Sequence, residues 1–260
     1  LCGLAARGGS GCVVLFKVLE SSEDGAVVRD IDGAVERLGD DSHVPLMEWL
    51  GARGKEWYVY RNAIMMLGNL GFVAAADDVR RFLSHPHPRV REEAVGALYK
   101  MQGEAAVRDI QPLVRDRDKA VVKKAVTTLA RLKCRNPFFL QALADLFRGG
   151  KDRDPAPDEL LLVGLDAVAQ IGAFAVDDVD IRDILVERLE AGGSMLNKLF
   201  KKRKAAEDSE VVRAATCGTL GHIGDQQTAR SLEPFCKDAS PLVRERASDA
   251  MRIIAARGQA

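Results

Sequence analysis

Histidines are the first residues in this chain to consider for metal chemistry, and their spacing does not build a site. The chain has four of them, His43, His85, His87 and His222. His85 and His87 are two residues apart, each followed by proline, and a metal site would need further ligands converging from elsewhere in the chain. We interpret HPHP (85–88) as a turn and predict no bound metal.

Cysteine is the next candidate, as a nucleophile or as a disulfide partner. Five cysteines are present, an odd number, and none forms a close pair such as CxxC. This usage argues against a disulfide framework and favours a reducing compartment, so we predict a cytoplasmic protein. We interpret Cys217 and Cys236, which fall on predicted helices, as small buried apolar residues. The others are Cys2, Cys12 and Cys134.

Short catalytic motifs are also absent from the sequence. It contains no GxGxxG or GxxxxGK[ST] phosphate-binding loop and no GxSxG nucleophile motif. We therefore predict no catalytic residue, no cofactor and no enzymatic activity within this chain.

Composition narrows the partner classes. The formal net charge is zero, whereas a nucleic-acid binder usually shows a basic balance, so nucleic acid is not the expected partner. No run approaches 18 apolar residues, so no transmembrane helix is predicted. The charge is nevertheless banded, with ten Lys/Arg and five Asp/Glu in 103–150, then four and eleven in 151–190. This banding is either ordinary surface variation or a groove that orients a partner.

Seven stretches of the chain are versions of one another, and they define the elements that position every side chain above. Their spacing is near 31 residues except for two longer intervals, which predicts a stack of repeated units rather than one closed core. The stretches are 27–39, 59–71, 90–102, 121–133, 160–172, 211–224 and 243–255, centred on Ile31, Ala63, Ala94, Ala125, Gly164, Thr216 and Ala247.

Each repeat is predicted to contain two helices. In 73–102, the HPHP turn separates a first helix from a second whose apolar stripe includes Val90, Ala94 and Leu98. A mostly small central residue would let neighbouring helices approach closely. Glycines after the stripe are predicted to be left-handed helix C-caps, and no strand is predicted. The first helices are expected near 10–20, 42–51, 73–83, 104–115, 137–148, 178–190 and 227–237; the glycines are Gly39, Gly71, Gly172 and Gly224.

The second-helix motifs resemble the HEAT-repeat superfamily, in particular the short bacterial, bilin-lyase-like repeats. The motifs that resemble it best are VREEAVGAL (90–98), VVRAATCGTLGHIG (211–224) and DASPLVRERASDAM (238–251). The resemblance implies an all-α, right-handed α-solenoid of about seven two-helix repeats, a single domain over residues 1–260. The His-Glu iron ligands of HEAT-like hydroxylases are missing, because no histidine is followed by Glu.

The resemblance also implies a structural ladder of ion pairs. In such repeats an acidic residue at the inter-helix turn pairs with the arginine of VR in the same or the next unit. The arginine position holds Arg91, Arg213 and Arg244, and Tyr60, Val122 and Leu161 interrupt the series. Six residues before these arginines stand His85, Glu207 and Asp238, and Asp116 holds the equivalent place before Val122.

Two loop insertions, near 149–159 and 191–210, account for the longer intervals. The second combines Leu199 and Phe200 with a basic cluster. It is either a surface loop that folds back on the stack or a segment making weak contact with a membrane or an acidic partner through 195–204. The chain begins at Leu1, in apolar sequence, so we expect a fragment of a longer protein. The basic cluster comprises Lys201, Lys202, Arg203 and Lys204.

The second helices are expected to line a concave face that binds a protein or peptide partner. The buried stripe places the positions two before, two after and about six after each central residue outward. These positions include Glu92, Gly96, Ala214, Gly218, Asp249 and Ile253. We predict a non-catalytic scaffold or regulatory repeat domain. The alternative is a repeat-fold enzyme or accessory, DNA-glycosylase-like or bilin-lyase-like, acting on nucleic acid or a pigment. The predicted face residues are Arg61, Lys100, Lys123, Thr127, Arg131, Asp166 and His222; Trp57, Tyr58, Tyr60 and Tyr99 are further aromatic candidates that either contact the partner or pack between units.

Overall fold

Helices make up nearly all of the described structure, which is a computed structural model. It describes residues 15, 17–18, 25–38, 43–51, 56–148, 156–177, 179–193 and 208–258. These fall into two compact units, one up to Thr128 and one from Leu129 onward. The prediction of an all-α fold is confirmed, whereas the handedness, the repeat count and the single domain stay predictions.

The odd-numbered helices are the predicted second helices, and their bounds lie within two residues of the repeat stretches wherever these are described. They are α1 (Gly25–Leu38), α3 (Trp57–Asn69), α5 (Pro88–Gln102), α7 (Lys119–Arg131), α9 (Asp158–Ile171), α11 (Glu210–Ile223) and α13 (Pro241–Arg257). All seven central residues, from Ile31 to Ala247, are buried. The apolar stripe therefore fixes which side of each second helix faces the core.

The even-numbered helices are the predicted first helices, and several are interrupted. They are α2 (His43–Gly51), α4 (Ala76–Arg80), α6 (Val107–Ile110), α8 (Pro137–Arg148), α10 (Ile181–Gly193) and α12 (Gln226–Leu232). Around α4, α6 and α12 the chain continues as 3₁₀ turns, so the continuous helices predicted over 73–83, 104–115 and 227–237 were wrong in detail. Pro112 and Pro234 lie in two of these turns, where the missing proline amide removes an α-helical hydrogen bond. The first helix predicted near 10–20 lies mostly outside the described residues.

Within each unit the helices pack in sequence. In the first unit, α1 packs on α3 and α3 on α5, while α2 and α4 cover α3 and α5. In the second unit, α9 packs on α11 and α11 on α13, and α8, α10 and α12 cover them. Second helices thus lie side by side, which places their outward residues on one surface within each unit.

The structure contains a short antiparallel strand pair that was not predicted from the sequence. β1 (Ala175–Val176) and β2 (Val179–Asp180) pair in register between α9 and α10. Two residues per strand give no period-two alternation to detect. Asp177, in the turn, has a φ of 52°, a conformation that aspartate tolerates better than most residues.

Glycine C-caps are confirmed at two of the predicted positions. Gly71 and Gly172 have φ values of 63° and 86°, in the left-handed region. Gly224 caps α11 with φ −74°, so the left-handed prediction was wrong there. It is needed for space instead, because a Cβ would lie 2.5 Å from the Leu220 carbonyl oxygen and 2.6 Å from Thr228 Cγ2. Gly39 lies outside the described residues.

The closest helix crossings are built from a glycine and an alanine at repeat-equivalent positions. A Cβ on Gly68 of α3 would lie 2.8 Å from Ala97 Cα on α5. A Cβ on Gly221 of α11 would lie 2.8 Å from Ala250 Cα on α13. Both glycines follow the central residue of their helix by five positions, and both alanines follow theirs by three. The small central residue also matters at Gly164, whose Cβ would lie 2.8 Å from Leu146 Cδ2.

The arginine ladder exists, and its ion pairs run to the next repeat. Arg91 donates from Nε and Nη2 to the two carboxylate oxygens of Asp116 at 2.8 and 2.6 Å. Arg213 donates to Asp238 at 3.1 Å. In both cases the acid lies 25 residues later, in the turn before the next second helix. Arg91 and Arg244 also donate to backbone carbonyls five and six residues earlier. The ladder therefore ties consecutive repeats together.

One junction receives its guanidinium from a first helix. The VR arginine position of α9 is the buried Leu161, and the turn before α11 contains Asp208. Arg188 of α10 pairs with Asp208 and also donates to the Phe147 carbonyl. Sequence alignment could not find this substitute because α10 lies outside the second-helix register. Glu207, the predicted acid of this turn, is outside the described residues.

We expect Arg91→Ala to lower the free energy of unfolding by about 3–5 kcal/mol, because it leaves a buried carboxylate without its partner. The Arg91 and Asp116 side chains are only 4% and 11% exposed. The matched control is Arg81→Ala. Arg81 pairs with Asp78 but is 65% exposed, so its loss should cost less than about 1 kcal/mol. Denaturant titrations measure both, and equal losses would contradict a role for the Arg91–Asp116 bond.

The glycine crossings give a second prediction. Gly221→Ala should destabilise the protein by about 1–3 kcal/mol through overpacking against Ala250. Gly218→Ala, three residues earlier on α11, should stabilise it by up to about 1 kcal/mol, because alanine favours the helix and nothing lies within 4 Å of the added Cβ. Melting temperatures of the two variants should move in opposite directions. A common direction would show that helix propensity, not the crossing, sets the effect.

Candidate functional site

The outward positions of α3, α5 and α7 form the surface that we call the second-helix face. Lys100, Lys123 and Arg131 are exposed there, and Arg61 and Thr127 are half-buried. On α7 the opposite side is buried through Val121 and Ala125, so Lys123 and Arg131, two turns apart, point away from the core. These five predicted face residues therefore do face outward.

Hydrogen bonds connect three neighbouring helices across this face. Lys100 Nζ of α5 donates to Asn69 Oδ1 of α3 at 2.6 Å, and Asn69 Nδ2 donates to Asp32 Oδ2 of α1 at 2.8 Å. Lys100 was predicted as a partner-binding cation. Its ammonium group is instead held in a polar chain that ends on a carboxylate, so its charge is partly compensated.

Glu93 is a face residue that sequence reasoning missed. Burial raises the pKa of its carboxyl group, although the nearby cations Lys124, Lys100 and Arg61 act to lower it. The signal was available in the sequence, because Glu93 adjoins the predicted outward position Glu92 and precedes the central Ala94. An acid therefore lies among the cations of this face.

Gly96 was predicted to be an outward position and is buried. The side chain of Lys124 covers it, since a Cβ on Gly96 would lie 3.2 Å from Lys124 Cε. Ala214, predicted to be outward on α11, is buried as well. Sequence offsets place a residue on a helix face but do not show which neighbouring side chain covers it.

In the second unit, outward positions of α11 and α13 come together in an open groove of about 420 Å³. The predicted residue His222 is exposed on its wall. Gly218, Asp249 and Ile253 were also placed outward by the repeat offsets. The full lining is Gly218, His222, Arg246, Asp249, Ala250, Arg252, Ile253 and Ala256.

Asp166, the remaining predicted face residue, is exposed on α9. Its carboxylate accepts a hydrogen bond of 2.7 Å from Gln170 Nε2 one turn later. It is not among the residues that line the groove.

Two of the aromatic candidates, Trp57 and Tyr60, pack against the histidines of the HPHP turn (85–88). Trp57 stacks on the His87 ring with centroids 4.0 Å apart and planes at 8°, and the Arg89 guanidinium lies 5.4 Å from the Trp57 centroid. Tyr58 contacts the edge of Trp57. Tyr99 is half-buried on α5. Packing between neighbouring repeats, the alternative that the sequence left open, accounts for the position of Trp57.

Tyr60 occupies the VR arginine position of α3, and its partner occupies the acid position. It contacts the His85 ring at 5.4 Å and the Phe82 ring at 5.3 Å. His85 follows Tyr60 by the same 25 residues that separate Arg91 from Asp116. His85 Nδ1 accepts the amide hydrogen of His87 at 3.1 Å, as Asp116 Oδ1 accepts that of Asp118 at 2.8 Å. A neutral histidine thus takes the place of the turn aspartate.

Thiol and metal chemistry have little support among the described residues. Burial raises the pKa of Cys217 to about 12, so its reactive thiolate form is suppressed. Within the described ranges, no group of three or more His, Cys, Asp and Glu side chains could hold a metal ion. None of the helices in these ranges has the length and apolarity that a membrane crossing requires.

Both insertions fall largely outside the described residues. Of the first, near 149–159, only 156–159 are described, and they lead into α9. Of the second, near 191–210, the structure describes the end of α10 and the start of α11. Lys201, Lys202, Arg203 and Lys204 lie outside the described residues, so their role stays a prediction.

Comparison with known proteins finds a similarity to HEAT repeats over part of the chain. Residues 44–130 match the family model of HEAT repeats. No curated protein matches the chain at a significant level.

Two solved structures illustrate the structural similarity. Human deoxyhypusine hydroxylase in complex with glycerol aligns with 98% of this chain and 88% of its own, at 14% identity and a TM-score of 0.40. An engineered protein from the Northeast Structural Genomics Consortium aligns with 94% of this chain and 68% of its own, at 18% identity and a TM-score of 0.47.

The Tyr60–His85 junction predicts a pH dependence of stability. Burial lowers the pKa of His85 in the folded protein, and the nearby charge of Arg91 also acts to lower it. The unfolded chain therefore takes up the proton first. The stability contributed by neutral His85 is full above the usual pKa of about 6.5 and is lost as pH falls toward the folded value.

His85→Asn is the matched variant, because asparagine accepts the same turn hydrogen bond and does not titrate. Between pH 7 and 5, the unfolding free energy of the wild type should fall relative to that of the variant. Urea titrations at several pH values measure the difference. If the unfolding free energies of the two proteins changed in parallel with pH, His85 would not contribute to the pH dependence of stability.

Proposed function

We propose that the chain is a non-catalytic interaction module whose second-helix face binds a protein or peptide partner. The observation that supports this most directly is the side-by-side packing of second helices, which collects charged and small outward residues on one surface. On α7 this surface exposes Lys123 and Arg131, separated by the half-buried Thr127. Arginine is enriched among residues that dominate interface energetics.

The family match supports the same class of function. HEAT repeats generally bind proteins, and residues 44–130 include Arg61, Lys100, Lys123 and Thr127. Repeat stacks present extended surfaces that suit macromolecular partners. A protein is favoured over nucleic acid because the formal charge of the chain is zero.

A cytoplasmic location completes the proposal. Cys217, which is buried, and Cys236 form no disulfide among the described residues. Free thiols are typical of a reducing compartment. We infer no cofactor for this role.

The test is a charge reversal on the face, Lys123→Glu with Arg131→Glu. The matched control reverses two exposed cations on the first-helix side, Arg108→Glu with Lys237→Glu. Partners retained by the wild-type chain should bind the face variant at least about tenfold more weakly, a change of about 1.4 kcal/mol, and bind the control as before. Quantitative pull-down followed by titration of each retained protein measures this.

Retention of the same partners with the same affinities by all three proteins would contradict the proposed face. Circular dichroism spectra should match across the three, since both substitutions in each variant are at exposed positions.

A further inference from the structure

The groove between α11 and α13 lies on the outward side of their close crossing. At Gly221 the backbones are so close that a Cβ would lie 2.8 Å from Ala250 Cα. One turn earlier, at Gly218, a Cβ would meet nothing within 4 Å. The absence of a side chain at Gly218 leaves space that the neighbouring helix does not fill.

Half of the residues that line this space are apolar or glycine. Gly218, Ala250 and Ala256 contribute no polar side-chain atoms, and Ile253 is 39% exposed despite being a large apolar residue. Exposed apolar surface in a concavity favours burial of a partner's apolar side chain. The volume of about 420 Å³ falls within the range of pockets that hold small ligands or single peptide residues, roughly 300–1,000 Å³.

The charged residues of the lining are mostly basic. Arg246 and Arg252 lie beside a single acid, Asp249, which is already paired with Arg252. Arg246 forms no ion pair with any residue in the described part of the chain. His222 adds an imidazole ring that can form hydrogen bonds. The electrostatic character of the groove therefore complements carboxylates.

We propose that this groove binds an acidic peptide segment that inserts one apolar side chain over Gly218 and Ile253. The flanking carboxylates of the peptide pair with Arg246 and with the guanidinium of Arg252. This inference rests on the proposed interaction function and specifies the chemistry of the partner. A nucleic acid fits less well, because none of the lining residues other than His222 offers a ring on which a base could stack.

The experiment uses the full chain and three fluorescein-labelled peptides of equal length. One carries a leucine flanked by aspartates and glutamates, one replaces the leucine with serine, and one replaces the acids with lysines. Fluorescence anisotropy at low salt measures their affinities. The acidic leucine peptide should bind, and the other two should bind at least about tenfold more weakly, a difference of about 1.4 kcal/mol.

Two variants locate the binding. Gly218→Leu fills the groove without meeting another atom at its Cβ and should raise helix stability, so weaker binding cannot result from unfolding. Arg246→Glu reverses an exposed charge. Each substitution should lower the affinity for the acidic leucine peptide at least about tenfold. Gly51→Leu is the matched control, because it also adds a side chain to open space, and its affinity should equal that of the wild type.

Equal affinity of the acidic leucine peptide for the wild type and Gly218→Leu would overturn the groove assignment. So would binding of an oligo(dT) strand that Gly218→Leu abolishes, or the absence of binding by all three peptides. If the Lys123/Arg131 charge reversal still releases its partners in those cases, the proposed function stands and only the groove inference fails.

Discussion

The bond from an arginine of one repeat to the turn aspartate of the next is the interaction on which the arrangement of second helices depends. Each second helix has an apolar stripe that it cannot bury alone, so it must pack on its neighbours. The hydrophobic effect that drives this packing is non-directional. A bidentate pair such as Arg91–Asp116, with oxygen–nitrogen distances of 2.8 and 2.6 Å, is directional and fixes the position of one helix against the next.

The same junction can be built from different chemistry, and the described residues show three versions. Arg213–Asp238 repeats the ionic form. Tyr60–His85 replaces it with a tilted ring contact and a neutral turn acceptor. At Asp208 the cation comes from Arg188 of a first helix. In every version the turn before the second helix presents an acceptor for its own backbone or a partner for a neighbour. The constraint is thus the filled junction rather than any one residue pair.

The sequence predicted the second helices well because their burial stripe is long and repeated. The same stripe predicted the outward side of α7, whereas the arginine–aspartate bonds were expected from the resemblance to HEAT repeats. The sequence did not predict the 3₁₀ turns beside α4, where no proline lies within the turn to indicate them. It also missed the burial of Gly96 under Lys124, since a contact between repeats depends on the path of a flexible side chain. The Gly221–Ala250 crossing was detectable, because Gly68 and Ala97 occupy the equivalent positions.

The residues that hold the stack together are different from those that face outward. The central residues, the crossing glycines and the junction side chains lie on the buried sides and in the turns. The outward residues Gly218, Asp249 and Ile253 of α11 and α13 have no role in those contacts. Substitution at Gly218, Arg246 or Ile253 therefore changes the groove without disturbing the stack. A surface that varies independently of its scaffold suits binding, and in the second unit the groove between α11 and α13 is such a surface.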